Sequence, residues 1–468
     1  GVSGLHPGLG VFPGEVRGVR EFPDAVSIVL SDDGIIVEGK AVSTDGSAAV
    51  HTAHDIVCYE SGRDFTYGEG TEADEHTAEE AEAHTVVHIT QPGTYALSGT
   101  LSAGQIAVDL GEDAEDDPAA VVTLILNGVD ITCTVAPAVI FYNVYECGST
   151  DEDTASETVD TSAAGANVLI ADGTINNVTG SYVARIYDPD SVVLSEDGMT
   201  VEDSGKLHKY DGAFYSKMSM NVDGGEAGTG VLNITADNEG LDTELHLTIN
   251  GGTINITSGN DGINTNEDNV SVTTVNGGSV NIQVTGETGE GDGIDSNGWL
   301  VINGGTVIAK GVDCGIGAGK GGNITINGGD VTAIAGVTED STRYYWPKGI
   351  GIGLWHDGTV TINGGNINAS TVYSGAGIGG YYADVAIHGG NIEATGSGES
   401  KFPPSVGIGS GKSLLIDGGV IHAYGKGGAA GIGGANVWKT EKYSENASLL
   451  ITGGEIYASA EGNGAAIG

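Results

Sequence analysis

Three short phrases place carboxylates at matching points of successive segments: Glu239-Gly240-Leu241-Asp242, Asp261-Gly262-Ile263-Asn264 and Asp292-Gly293-Ile294-Asp295. If the segments stack, their side-chain oxygens stand one above another. Carboxylates about 5 Å apart repel unless a cation lies between them. Calcium accepts about six to eight oxygens at about 2.3–2.6 Å, a demand that such a stack and nearby backbone carbonyls can meet. Glu239, Asp242, Asp261, Asn264, Asp292, Asp295 and Asp313 are therefore the candidate calcium ligands, and Thr243, Thr265, Asn266, Ser296 and Asn297 can add oxygens. Further along, the phrase becomes Gly315-Ile316-Gly317, Gly377-Ile378-Gly379, Gly407-Ile408-Gly409 and Gly431-Ile432-Gly433. Glycine has replaced the acid there, so a metal zone is confined to the middle of the chain. The plainer alternative is a solvated acidic face whose Asn and Asp serve only as corner residues.

Aromatic residues form a second group. Tyr344, Tyr345 and Trp346 are consecutive, and Trp355 and Tyr381 each follow an isoleucine of the repeated phrase (Ile352, Ile378) by three residues. Tyr382, Trp438 and Tyr443 lie nearby in sequence. Exposed aromatic faces pack on the apolar faces of sugar rings. Tyr344, Tyr345, Trp346, Trp355, Tyr381, Tyr382 and Trp438 are the candidate carbohydrate contacts. The alternative is that these rings merely cover a glycine-rich surface.

Catalytic patterns are weaker. A β-elimination lyase needs a strong base, Arg or Lys, beside its cation. Between Met218 and Thr342 there is no Arg, and the lysines are Lys310 and Lys320. A glycoside hydrolase needs two carboxylates about 5–9 Å apart, a spacing that so acidic a chain meets many times without meaning. No phosphate loop, haem motif or nucleophile elbow is present, and no catalytic residue is assigned.

The elements that must position these residues are repeats. From residue 249 the phrase apolar, polar, Gly-Gly, any residue, apolar recurs, as in Ile249-Asn250-Gly251-Gly252-Thr253-Ile254 and Ile302-Asn303-Gly304-Gly305-Thr306-Val307. Successive Gly-Gly pairs are 26, 27, 24, 36, 25, 29 and 35 residues apart. Periods of this order signal a solenoid or propeller. Segments such as Thr253-Ile254-Asn255-Ile256-Thr257 alternate with the period of two that marks β structure. A propeller blade needs four strands in about 40 residues. Units of 24 to 29 residues fit one coil of a right-handed parallel β-helix better. Coils then stack at about 4.8 Å, Ile, Val and Leu fill a narrow interior, and extra residues become loops. The fold class is all-β, in three parts: residues 1–85 as an N-terminal segment or cap with an acidic insertion, 86–220 as irregular early coils, and 221–468 as regular coils. The acidic runs Glu69 to Glu82 and Glu146 to Asp160 read as mobile loops.

Composition sets limits. The chain has 468 residues, with Lys+Arg 17 against Asp+Glu 64 and a net charge of −47. Such a surface repels nucleic acid and anionic membranes and attracts hard cations. No apolar run reaches the ~18 residues of a membrane helix. The chain begins at Gly1 with no signal peptide in view, which reads as a trimmed mature fragment. Cys58, Cys133, Cys147 and Cys314 show no zinc-type spacing, and Cys133 and Cys147 are the one pair considered for a disulfide.

The stretch Gly93-Thr94-Tyr95-Ala96-Leu97-Ser98-Gly99-Thr100-Leu101 carries a more specific likeness, as do Gly104 to Asp109, Leu124 to Thr132 and Asp211-Gly212-Ala213-Phe214-Tyr215-Ser216-Lys217. With the Asp-Gly-Ile coils, they resemble the secreted clostridial carbohydrate-binding family with a pectate-lyase-like β-helix, over residues 86–310. The resemblance implies binding of cellulose and acidic plant polysaccharide, bound calcium, no catalysis, and a place outside or on the surface of a bacterial cell. The competing class is a structural surface protein. The final phrase, Ala466-Ile467-Gly468, has no polar cap after it, and an uncapped solenoid end invites end-to-end self-association.

Overall fold

The computed structural model describes residues 19–148, 150–319, 321–337, 349–372, 375–380, 382–396, 406–434 and 448–468. Its strands stack in register as the coils of a parallel β-helix. One ladder of inward residues threads nearly the whole length: Val87, Ile106, Val139, Phe214, Leu241, Ile263, Ile294, Ile316, Ile352, Ile378, Ile408, Ile432 and Ile467, each paired in parallel with the next. All but the last are buried. Two further ladders complete the interior. Ile249, Val275, Ile302, Ile326 and Ile362 form one. Ile254, Val280, Val307, Val331 and Ile367 form the other. Each coil thus contributes three short strands to one continuous apolar core.

The Gly-Gly pairs sit where the second and third faces meet. Gly305 has φ +82°, and a Cβ there would lie 2.8 Å from the Gly278 carbonyl oxygen of the previous coil. Positive φ and close backbone stacking together demand glycine. Thr253–Ser258, Ser279–Val284 and their successors alternate buried and exposed residues, as the period of two requires.

Toward the N-terminus, Val26–Leu30 pairs in parallel with Gly93–Leu101, and Val50–Ala53 lies antiparallel to Thr85–Ile89. The acidic run after Glu69 is not a plain loop. It holds a 3-10 turn, Glu72–Asp74, and a short helix, Ala78–Glu82, whose N-terminal Thr77 hydroxyl accepts from the Glu80 N–H at 3.1 Å. The side chains of Thr and Asp or Glu around each start satisfy amides that would otherwise be orphaned. All four cysteines are free and buried, so the disulfide considered for Cys133 and Cys147 does not form. Among the described residues no helix is long and apolar enough to cross a membrane.

Candidate functional site

The acidic phrases fall on the first ladder. Strand Gly212–Ser216 pairs with Glu239–Thr243, which pairs with Ile263–Thr265, and a bridge at Ile263 and Ile294 continues the stack. Tyr215, Asp242 and Asn264 are direct neighbours across coils. Backbone register, set by the buried aliphatics, therefore brings together acids far apart in sequence.

Two carboxylate triads result. Asp211, Glu239 and Asp242 offer ligand oxygens that all lie within 4.8 Å of one another, and so do Asp261, Asp292 and Asp295. At that separation each pair of charges repels by about 3 kcal/mol at an effective dielectric near 20. Both triads consist of hard oxygen donors, the ligand class of calcium.

The first triad is the more enclosed. Asp242 is 0% exposed, Glu239 6% and Asn264 7%. Asn266 donates to Asp242 Oδ1 at 2.8 Å, and Asn264 donates to Glu239 Oε1 at 3.3 Å. Asp242 Oδ2 and Asn264 Oδ1 are buried with no hydrogen-bond partner. Buried oxygens normally find a donor, and two orphans beside a carboxylate cluster suit a cation. Lys209 Nζ lies 3.1 Å from Asp211 Oδ2 at the triad's edge. Burial, joined by the neighbouring carboxylates, holds Glu239 and Asp242 well above the ordinary carboxylate range.

The second triad is half-buried and its oxygens are partly engaged. Asp261 Oδ1 accepts the Asp292 N–H at 2.7 Å, Asp292 Oδ1 accepts the Cys314 N–H at 3.0 Å, and Asp295 Oδ1 accepts the Ser296 N–H at 2.9 Å. Burial and mutual repulsion push Asp261 and Asp292 well up, and burial pushes Asp295 to about 6.

Not every candidate ligand joins a triad. Asp313 belongs to neither group, although its charge acts on Asp261 and Asp292. Asn264 borders the first triad as a donor with one free oxygen. Thr265 and Ser296 hydroxyls bond each other at 2.7 Å, and Thr243 donates to the Leu245 carbonyl at 2.9 Å. Where the phrase turns to glycine, Gly317, Gly353, Gly379 and Gly409 continue the column of Asp242, Asn264 and Asp295.

Two residues escaped the sequence analysis. Asp211 heads an Asp-Gly-apolar phrase one coil earlier, so its signal was present but broken by Ala213-Phe214. Lys209, two residues before it and outside the span from Met218 to Thr342, brings a cation to the first triad. Lys310 lies on Thr306–Gly311, a strand of another face, and Lys320 lies outside the described residues.

Of the aromatic candidates, Tyr344, Tyr345, Trp346, Tyr381 and Trp438 lie outside the described residues. Trp355 and Tyr382 are half-buried. Trp355 stands beside the buried Cys314 side chain.

A family model described as carbohydrate-binding domain-containing protein matches residues 83–307 and 154–400, together more than half of the chain. The chain belongs to this family. A beta-helix repeat model matches residues 415–436, in accord with the stacked coils. A carbohydrate-binding domain-containing protein of Acetivibrio thermocellus is 29% identical over 126 residues, which is 26% of this chain and 35% of that relative. The match thus spans about a third of the relative's length. A solved polysaccharide lyase-like protein from C. thermocellum, in a gadolinium derivative, aligns with TM-score 0.44 and 21% identity over 72% of this chain and 96% of that one.

Proposed function

We propose that this chain is a non-catalytic, polysaccharide-binding β-helix stabilised by calcium at the two triads, working outside the cell or at the surface of a bacterium on plant-type glycans, either cellulose or acidic pectin-like chains. Family membership supports the polysaccharide. The observation that carries the calcium is Asp242, fully buried among carboxylates with Oδ2 unpartnered. Glu239, Asp242, Asp211 and the Asn264 amide oxygen would hold one ion, and Asp261, Asp292 and Asp295 a second. The ion would supply charge neutralisation that no nearby side chain provides in full. Weak sugar contacts repeated along a rigid axis would then give retention through avidity.

A lyase is the second reading, favoured by Lys209 beside Asp211. Burial pulls the Lys209 amine down, but Asp211 and the acids behind it outweigh that and hold it up. An ammonium so paired is a poor base. The test is depletion of the protein by insoluble cellulose and immobilised polygalacturonate, with calcium or chelator, while the supernatant is assayed for unsaturated sugar. Retention that calcium strengthens, without product, is expected. Product release would establish the lyase, and failure to bind any polysaccharide would overturn the reading.

A further inference from the structure

Two insertions build a wall beside the first triad. The hairpin of Val183–Tyr187 and Lys206–Tyr210 is antiparallel, unlike the coils. The chain near Gly68 is bridged to it: the Glu69 N–H donates to the Arg185 carbonyl at 2.9 Å and the Tyr187 N–H to the Tyr67 carbonyl at 2.8 Å. Between this wall and the coil surface at Asp211, Asp237 and Asn238 lies a cleft of about 610 Å³, within the size range of small-ligand sites.

From this cleft we infer a sugar subsite that takes a neutral, polyhydroxylated segment of a glycan. The inference rests on the polysaccharide-binding reading and names the place and ligand class. Apart from Ala73 and Ala184, every lining residue is polar or charged. The lining carries two cations, Arg185 and Lys209, against four carboxylates, Glu69, Asp74, Asp211 and Asp237. A polyuronate meets that excess at contact range and the chain's −47 at longer range. A divalent ion in the first triad would offset Asp211 among these and still leave Glu69, Asp74 and Asp237 against Arg185 and Lys209. A neutral sugar meets no such repulsion.

Hydrogen-bond chemistry points the same way. Arg185 donates from Nη2 to the Ser204 carbonyl at 2.9 Å, but its Nε is buried with no acceptor. The nearest carboxylate, Glu69 Oε1, is 3.8 Å away, beyond hydrogen-bond reach. A hydroxyl placed there accepts from Arg185 and donates to Glu69 at once. A uronate carboxylate can only accept, and would face Glu69 with like charge. The Tyr182 hydroxyl donates to Asp74 and keeps its lone pairs for a sugar hydroxyl.

The test uses the full chain in calcium. Soluble neutral oligomers of glucan, xylan and mannan type, and a galacturonate oligomer, are titrated against the parent and against Arg185→Gln and Asp237→Ala. Asp237 is exposed and outside both triads, so its variant leaves the fold and calcium binding in place. The expected result is binding of a neutral oligomer in preference to galacturonate, weakened about tenfold by each substitution, with calcium titration and melting unchanged. Preference for galacturonate would overturn the ligand class. Parent-like affinity in both variants would overturn the cleft while leaving the polysaccharide-binding reading intact. A parent that binds no glycan, soluble or insoluble, would remove both.

Discussion

The two triads occupy neighbouring coils of one ladder and differ in what each already possesses. The second spends an oxygen of each carboxylate on a backbone N–H and stays open to water. In the first, Glu239 and Asp242 are buried, Asp242 Oδ2 and the neighbouring Asn264 Oδ1 lack donors, and Lys209 stands at the rim with the half-buried Asp211. A carboxylate that is already solvated or hydrogen-bonded gains less from an ion than one with no alternative. The same acids on the same scaffold should therefore bind cations with different strength and consequence: the first triad tightly and structurally, the second more weakly and exchangeably.

The largest expected effect is the global one. Saturating calcium should raise the thermal midpoint well above that in chelator, since a thousandfold excess over Kd is worth about 4 kcal/mol at one site. Scanning calorimetry reads it, and equal midpoints would remove the metal from both triads. Asp242→Asn should then cost at least about tenfold in calcium affinity through loss of one ligand charge, and more than Asp295→Asn does. Terbium luminescence can separate the two sites. Tyr215 adjoins Asp242 in register, whereas Trp355 stands beside Cys314, whose N–H donates to Asp292. Excitation through tyrosine should follow the first triad and selective tryptophan excitation the second. The reverse order of sensitivity would break the comparison.

The pH dependence follows from the raised carboxylates. In metal-free protein the folded state holds protons that the unfolded chain gives up near its ordinary carboxylate range, about pH 4. Stability is therefore fullest below that range and falls as pH rises through about 6 for Asp295. Glu146, raised to about 7 by burial despite two hydrogen bonds from Ser219, extends the fall from outside the triads. Calcium should cancel the triads' share and leave that of Glu146, which Glu146→Gln should then reduce. Melting curves from pH 5 to 8 with and without calcium test this. A metal-free protein that grows more stable over that interval would contradict it.

The smallest effect sharpens the comparison most. A Cβ at Gly317 would lie 2.8 Å from Asp292 Oδ2, a side-chain tip that can move. Gly317→Ala should weaken the second triad several-fold in the tryptophan-excited terbium signal, leave the first unchanged and barely alter melting. Equal weakening at both sites would mean that the triads act as one.

Much of the candidate site was legible because the phrase that sets the fold also carries the acids. Glu239, Asp242, Asp261, Asp292 and Asp295 each flank a Gly-aliphatic pair, and the aliphatic is the ladder residue. Asp313 sits in the connection before Cys314, where phrase spacing no longer fixes direction, and its charge reaches Asp261 and Asp292 from outside the triads. Asp211 was missed because Ala213-Phe214 breaks the Gly-aliphatic-acid phrase that it heads.

Sequence by itself determined the stacking of parallel coils, since apolar periodicity and Gly-Gly corners admit few other ways to bury so narrow a core. It also determined that acids would recur in the middle coils and give way to glycine beyond them. Only the tertiary structure decided that these acids divide into two triads, which oxygens are left without donors, and that Lys209 and Arg185 stand beside the first. Those outcomes depend on how coils of unequal length come into register and on where the hairpin of Val183–Tyr187 and Lys206–Tyr210 comes to rest, which no local period records.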